Sequence, residues 1–330
     1  MKVAVVGGTG NISGAIVRLL LDLGHEVVCF NRGRSGPLPD GARLIAGERN
    51  HTHDFERAMQ REKLDAAIDM ICYNAEHAHS TIRAFRGVGH LVVCSTVATY
   101  DVNWRSLPVT EDHPLTTDGP YGAYGRDKVA ADRVLLEAYQ SQAVPVTLVK
   151  PSATYGPVMG LPRQVARDAA WIDRIRKGKP IIVCGDGMAL QQFLHVDDAA
   201  LGFAHLLGRS ECVGQTYNLV PAGFTYWATY HRTVMQVLGR TVELVGVPAE
   251  VLRAVDAERF RLCISFDNYF SNAKLVRDVP EFRPRIPLEQ GVAHVLQAWD
   301  RDGRIPDADA DDWEDRIIAA QRRVRSVRLD

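Results

Sequence analysis

The chain has 330 residues, 46% of them hydrophobic, with 39 Lys and Arg against 40 Asp and Glu. That length supports a full core in two lobes rather than one. The net charge of −1 gives no support to nucleic acid as a partner, whose binding stripe would be basic.

No apolar run approaches the roughly 20 residues of a membrane span. Met1 and Lys2 lead into a short strand before a glycine cluster, which does not read as a signal peptide. A cytoplasmic protein with no membrane partner is expected. Six cysteines, Cys29, Cys72, Cys94, Cys184, Cys212 and Cys263, are scattered without CxxC pairs and read as buried thiols rather than disulfides or zinc ligands.

Lys2 to Val6 predicts a strand that runs into Gly7-Gly8-Thr9-Gly10-Asn11-Ile12-Ser13-Gly14. An amphipathic helix over Ala15 to Leu23 follows, then a second strand over Glu26 to Phe30. Glycines between a strand and a helix let the backbone approach a pyrophosphate, whose charge the amides at the helix N-terminus stabilise. Gly7 and Gly10 have the spacing of a GxxGxxG turn with the small Ser13 in third place. Gly7, Gly10, Asn11 and Ile12 are therefore the expected dinucleotide contacts.

An acidic residue after the second strand would hold the ribose 2′-hydroxyl of NAD, and an arginine would accommodate the 2′-phosphate of NADP. The chain has Asn31-Arg32-Gly33-Arg34 there. Arg32 and Arg34 lean the reading to NADP, while Asn31 can bond a ribose hydroxyl and keeps NAD open.

Strand-like runs recur at Arg43–Ala46, Ala66–Met70, Leu91–Cys94 and Val146–Val149, separated by helical stretches at His53–Arg61, Ala75–Phe85 and Lys128–Tyr139. Such alternation implies parallel pairing through crossovers. The expected fold is α/β, a Rossmann-type doubly wound parallel sheet, with its ligand at the carboxyl ends of the strands. Residues 1–150 form the expected dinucleotide-binding domain and residues 151–330 mainly a smaller substrate lobe, where Gly- and Pro-rich loops interrupt short elements. A helix near 199–207 is expected to return to the first domain. Tyr73 follows the fourth strand, within reach of the cofactor.

Tyr124 and Lys128 are four residues apart, so a helix through them puts both on one face. A nearby cation favours phenolate over phenol. Moving a phenol from pKa ~10 to near 7 takes about 4 kcal/mol of differential stabilisation, after which Tyr124 could shuttle a proton at neutral pH. Ser95 and Thr96 end the preceding strand, where a hydroxyl can hold the substrate oxygen.

GGTGNIS, the stretch Val93 to Tyr100, the YxxxK pair, Lys150 to Pro157 and Phe193 to Asp198 together resemble the short-chain dehydrogenase/reductase superfamily, in its extended, nucleotide-sugar epimerase/dehydratase-like branch. Asp69 to His77, Phe266 to Asn268 and Trp313 to Ile318 look like a bacterial group of that branch which is similar to the chloroplast stem-loop-binding proteins. The resemblance implies catalysis by Thr96, Tyr124 and Lys128, with Lys128 also holding the nicotinamide ribose. It also implies substrate contacts from Ser95, Thr154 and Gln191, and a homodimer formed through the Tyr124 helix and the one before it.

Departures from that pattern limit the substrate. Gln191-Gln192 stand where nucleotide-sugar epimerases carry an Arg-Asp pair, and Ala153 where an Asn commonly faces the phosphate. Arg163, Arg167, Arg174 or Arg261 could supply the missing charge. Val97-Ala98 replace the Asp-Glu pair of the dehydratases and cannot move a proton.

The leading reading is an NAD(P)-dependent epimerase on a sugar or nucleotide-sugar-like substrate. Its alternative is an NADPH-dependent keto-sugar or carbonyl reductase, and RNA binding on the same fold comes third. No metal is expected: His195, Asp197 and Asp198 read as a strand–helix junction with capping aspartates, and Asp307 to Asp311 as an acidic cap before the last helix. That helix carries Arg322, Arg323 and Arg325, with Arg328 beyond, and reads as a solvated end.

Overall fold

A computed structural model describes residues 1–34 and 36–325, which divide into two units. The first comprises Met1–Thr154, Gln192–Ala222 and Tyr269–Arg285; the second comprises Tyr155–Gln191, Gly223–Asn268 and Ile286–Asp330. Arg328 lies outside the described residues.

The first unit is built on a seven-stranded sheet. Its strands are β1 (Lys2–Val6), β2 (Glu26–Asn31), β3 (Arg43–Ala46), β4 (Ala66–Asp69), β5 (His90–Cys94), β6 (Val146–Pro151) and, later in the chain, β11 (Thr216–Leu219). Their order is β11-β6-β5-β4-β1-β2-β3 and every pairing is parallel. The order reverses at β1, between β2 and β4, so a crevice opens at the carboxyl ends of β1 and β4 where such sheets take ligands.

Alternate side chains of each strand face opposite layers. Val3 and Val5 pack with Ile16 and Leu20 of α1 (Asn11–Asp22) and with Ala199 and Phe203 of α6 (Val196–Leu206). Ala4 and Val6 pack with Phe55 of α2 (Thr52–Gln60), Ala78 and Ala84 of α3 (Ala75–Ala84) and Leu135 of α4 (Gly122–Gln140). Burial on both faces explains why the strands read as continuous apolar runs.

Helices α1 and α4 start four or more residues earlier than their periodicity predicts. α1 begins at Asn11 rather than Ala15, because Gly10 serves as its N-cap directly after the glycine turn. α4 begins at Gly122, so Tyr124 lies in its first turn. The segment Tyr269–Arg285, including the short helix α9 (Ala273–Asp278), returns to the first unit and places Leu275, Val279 and Phe282 in the α1–α6 core.

Two short strands, β7 (Ala153–Tyr155) and β10 (Phe193–His195), flank the first excursion out of this unit. At the start of α6 the capping side chain is His195, whose Nδ1 accepts from the Asp197 N–H at 3.2 Å. The expected capping aspartates do other work: Asp197 pairs with Arg18 at 2.8 Å, and Asp198 accepts from the Arg285 N–H at 3.0 Å.

The second unit carries the parallel pair β8 (Ile181–Cys184) and β13 (Leu244–Val247), and the antiparallel pair β9 (Leu190–Gln191) and β12 (Thr225–Tyr226). Its helices are α5 (Ala170–Arg176), α7 (Trp227–Val237), α8 (Ala249–Val255), α10 (Leu288–Arg301) and α11 (Trp313–Arg325). Ile182, Val245, Leu252, Phe260 and Ile318 share one core. Asp311 accepts from the Trp313 N–H at the head of α11, while Asp307 and Asp309 pair with Lys177. Among the described residues all six cysteines are buried free thiols, and no helix is long and apolar enough to cross a membrane.

Candidate active site

The glycine turn is forced by its surroundings. Gly7 has φ +87°, and a Cβ there would meet Cγ2 of Ile71 at 2.8 Å; at Gly8 it would meet the Cys29 sulfur at 2.6 Å. Ser13 does more than allow close packing. Its Oγ accepts from the Gly10 N–H at 2.8 Å and donates to the Gly7 carbonyl, pinning the turn from inside. The turn thus leads into the N-terminus of α1 at Asn11, with Ile12 partly buried against the sheet.

At the end of β2, the Asn31 Oδ1 accepts from the Gly33 N–H at 2.7 Å, whereas its buried Nδ2 has no partner among the described residues. Arg32 and Arg34 are exposed. A buried amide donor at the end of β2, followed by two exposed arginines, and a glycine turn at a helix N-terminus could hold an adenine dinucleotide with its pyrophosphate at Gly7–Ile12.

Across the crevice, Asp69 ends β4 fully buried. Its carboxylate accepts from the Ile71 N–H at 3.0 Å and the Thr81 hydroxyl at 2.6 Å, with Arg49 at 3.6 Å. Arg49 also donates to the His77 carbonyl and the Thr81 hydroxyl. The sequence reading missed this group, which fastens the Ile71–His77 loop. Asn74 caps α3 by accepting from the His77 N–H at 2.9 Å, and the ring of His77 accepts from the Tyr73 N–H at 3.2 Å.

Lys128 is 2% exposed. Its ammonium donates to the carbonyls of Cys72 at 2.8 Å and Cys94 at 2.7 Å, and lies 5.1 Å from the centre of the Tyr73 ring. Tyr124, one turn earlier on α4, is 47% exposed. Burial raises the Tyr73 phenol, against the lowering effect of Lys128, so Tyr73 stays a protonated donor at neutral pH. Burial likewise pushes Cys72 up to about 12 and Cys94 to about 11, which keeps both thiols protonated and unreactive.

After β5 the backbone turns into a short 3₁₀ segment, Val97–Thr99. The Thr96 Oγ1 accepts from the Ala98 N–H at 3.2 Å, which leaves the hydroxyl proton for donation. Ser95 is different. Its hydroxyl is buried, donates to Asp132 at 2.9 Å and accepts from Lys150 at 3.3 Å, so it is committed inside the unit rather than presented to a substrate.

Of the other expected substrate contacts, Thr154 is half-buried at the end of the first unit. Gln191 has a buried side chain in the second, on β9 opposite Thr225. Gln192 is structural: its amide accepts from the Phe270 N–H at 2.8 Å and donates to the carbonyls of Phe270 and Pro221.

Two of the four arginines considered as charge donors are buried in ion pairs. Arg163 pairs with Glu314 and, at 3.2 Å, Asp168; Arg174 pairs with Glu314 at 3.3 Å and Asp315 at 2.7 Å. Arg261 is exposed and pairs with Glu258 at 3.1 Å, and Arg167 is exposed.

Comparison with known proteins identifies the family and the fold. The pattern of the NAD dependent epimerase/dehydratase family matches residues 3–219. The chain is 33% identical over 312 residues to the 2'-dehydrokanamycin reductase of Streptomyces kanamyceticus, covering 94% of this chain and 87% of that protein. It is 25% identical over 237 residues to the chloroplast stem-loop binding protein of 41 kDa b of Arabidopsis thaliana, 66% of this chain and 58% of that one. Among solved structures it resembles a UDP-glucose-4-epimerase from Stenotrophomonas maltophila with a TM-score of 0.76 at 18% identity, over 93% of this chain and 100% of the other. The chain belongs to the NAD dependent epimerase/dehydratase family, of the extended short-chain dehydrogenase/reductase type.

Proposed function

We propose that this protein is an NADP(H)-dependent reductase that converts a ketone on a sugar or amino-sugar ring, carrying no nucleoside diphosphate, to the secondary alcohol. The observation that carries this reading is the likeness to a keto-aminoglycoside reductase along 94% of the chain. Burial of Arg163 and Arg174 in ion pairs, and the use of Gln192 to hold Phe270, support it by removing candidate clamps for a pyrophosphate.

A reduced nicotinamide, when bound, supplies the hydride for such a reaction. Thr96 donates a hydrogen bond to the ketone oxygen and fixes its position. Tyr124 gives that oxygen its phenolic proton as negative charge develops there, and recovers a proton from solvent, to which the residue is half open. Lys128 does not travel: the carbonyls of Cys72, in the loop after β4, and Cys94, at the end of β5, hold it, and its remaining N–H is available to a ribose hydroxyl. Its charge favours the phenolate left on Tyr124 after proton transfer.

An epimerase would use the same three residues, and the 27% identity to a UDP-glucose 4-epimerase of Corynebacterium glutamicum over 287 residues keeps that as the second reading. The two differ in how they treat the dinucleotide. Protein purified without added nucleotide is denatured and any released dinucleotide weighed: an empty protein that binds NADPH reversibly supports the reductase, and stoichiometric retained NAD or NADP supports the epimerase.

A further inference from the structure

Lys150 is the penultimate residue of β6, a strand otherwise apolar apart from the buried Thr147, and its ammonium is buried. An isolated ammonium in such a place would be driven to its neutral form. Lys150 instead finds three acceptors for its three protons: the Asp132 carboxylate, the Thr99 hydroxyl at 2.6 Å and the Ser95 hydroxyl at 3.3 Å. Burial still lowers its pKa from the ordinary lysine value, opposed by Asp132.

These acceptors sit on two pieces of the proposed catalytic machinery. Asp132 is the next residue in the series Tyr124, Lys128, Asp132, spaced by four along one face of α4. Ser95 and Thr99 bracket Thr96. The connection to Thr96 is short: the Thr99 hydroxyl accepts from Lys150 and donates a hydrogen bond to the Thr96 carbonyl at 2.8 Å. Ser95 closes the ring by donating to the same Asp132 carboxylate oxygen that Lys150 meets.

We infer that Lys150 is a positioning residue, which through Asp132 and Thr99 sets the separation between the Thr96 hydroxyl and the helix carrying Tyr124 and Lys128. The inference rests on the proposed Thr96/Tyr124/Lys128 site. Lys150 touches neither substrate nor dinucleotide. Its effect falls on kcat, since a misplacement of about 1 Å between groups that act on one oxygen can cost roughly 100-fold in rate.

The test compares Lys150→Met, Thr99→Val and Tyr124→Phe in the full chain, reading kcat and KM for NADPH-driven reduction of a keto-aminoglycoside, the Kd for NADPH, and Tm. Thr99→Val keeps the ion pair and removes only the hydroxyl link. The expected result is a fall in kcat of roughly tenfold or more for Lys150→Met and of several-fold for Thr99→Val, with NADPH affinity unchanged within about twofold.

If Lys150→Met does not fold, the double variant Asp132→Leu/Lys150→Met removes both charges together, a replacement buried pairs often tolerate, and is expected to show the same loss of kcat. Wild-type kcat in the folded Lys150 and Thr99 variants, beside an inactive Tyr124→Phe, would overturn this inference alone. Full turnover by Tyr124→Phe would overturn the site reading and this inference with it.

Discussion

The Lys128 ammonium donates to the Cys94 carbonyl at 2.7 Å, so the lysine one turn beyond Tyr124 is moored to the last residue of β5, directly before Ser95 and Thr96. The helix and the strand end that carry the three proposed catalytic side chains are therefore one hydrogen-bonded assembly. Replacing Lys128 with Met should lose the bonds to the Cys72 and Cys94 carbonyls and the charge. We expect kcat/KM to fall by roughly 100-fold or more, with weaker dinucleotide binding as well. Titration of NADPH by fluorescence separates the binding loss from the chemical one.

The unpartnered Asn31 amide and the exposed Arg32 make cofactor choice testable. Asn31→Asp places a carboxylate where the amide donor now sits and should repel a 2′-phosphate while accepting from a ribose hydroxyl. Arg32→Ser removes a charge-assisted partner for the phosphate. Each should shift the ratio of kcat/KM for NADPH over NADH towards NADH by about tenfold. An unchanged ratio in both would remove this end of β2 from cofactor selection.

Gly7 and Gly8 have no room for side chains. Gly8→Ala would press its new methyl against the buried Cys29 sulfur, and Gly7→Ala would add a φ of +87° that an L residue rarely adopts. Each should cost about 1–3 kcal/mol of stability, read as a lowered Tm, together with at least about tenfold weaker dinucleotide binding.

In the second unit, Glu314→Ala leaves Arg163 and Arg174 buried without the carboxylate they share. Arg163 keeps Asp168 and Arg174 keeps Asp315, but each loses a partner and the Ile182 N–H loses its acceptor, so a loss of about 1–3 kcal/mol is expected in chemical denaturation. NADPH affinity should hold, since the dinucleotide site proposed here belongs to the first unit.

Two buried histidines set a pH response. Burial pulls His90 down to about 4 and His231 down to about 3, so both are neutral in the folded chain. Their unfolded forms bind protons below pH ~6.5, which makes stability highest above that value and progressively lower as pH falls towards the folded values. From pH 7 to 5 each should contribute a loss of about 1–2 kcal/mol. His90→Gln, which cannot charge, should flatten part of the fall in Tm.

The sheet and the proposed site were legible because their signals are local. Gly7 and Gly10 report a turn by spacing alone, the strands buried on both faces spell themselves as apolar runs, and Tyr124 and Lys128 need only a helix to face one way. Long-range pairings were hidden. Arg163 and Glu314 are 151 positions apart, and nothing near either predicts that the arginine is already paired.

Gln192 reads in sequence only as half of the pair that replaces Arg-Asp; the partner that explains it, Phe270, lies 78 positions away. Ser95 and Thr96 are indistinguishable as a hydroxyl pair in sequence; alternation along the strand end turns one into the Asp132 network and the other out of it. A charged residue closing the otherwise largely apolar run Val146–Val149, with Asp132 one turn after Lys128, was the available sign of the Lys150 pair.

The most direct test of the central claim follows the hydride. The protein is incubated with NADPH carrying deuterium at the transferable position and a keto-aminoglycoside, and the product is weighed. The account predicts an alcohol that has gained one deuterium for each NADP released, and neither product nor NADP when Tyr124 is replaced by Phe. A substrate converted to its stereoisomer without deuterium uptake and without net consumption of NADPH would contradict it.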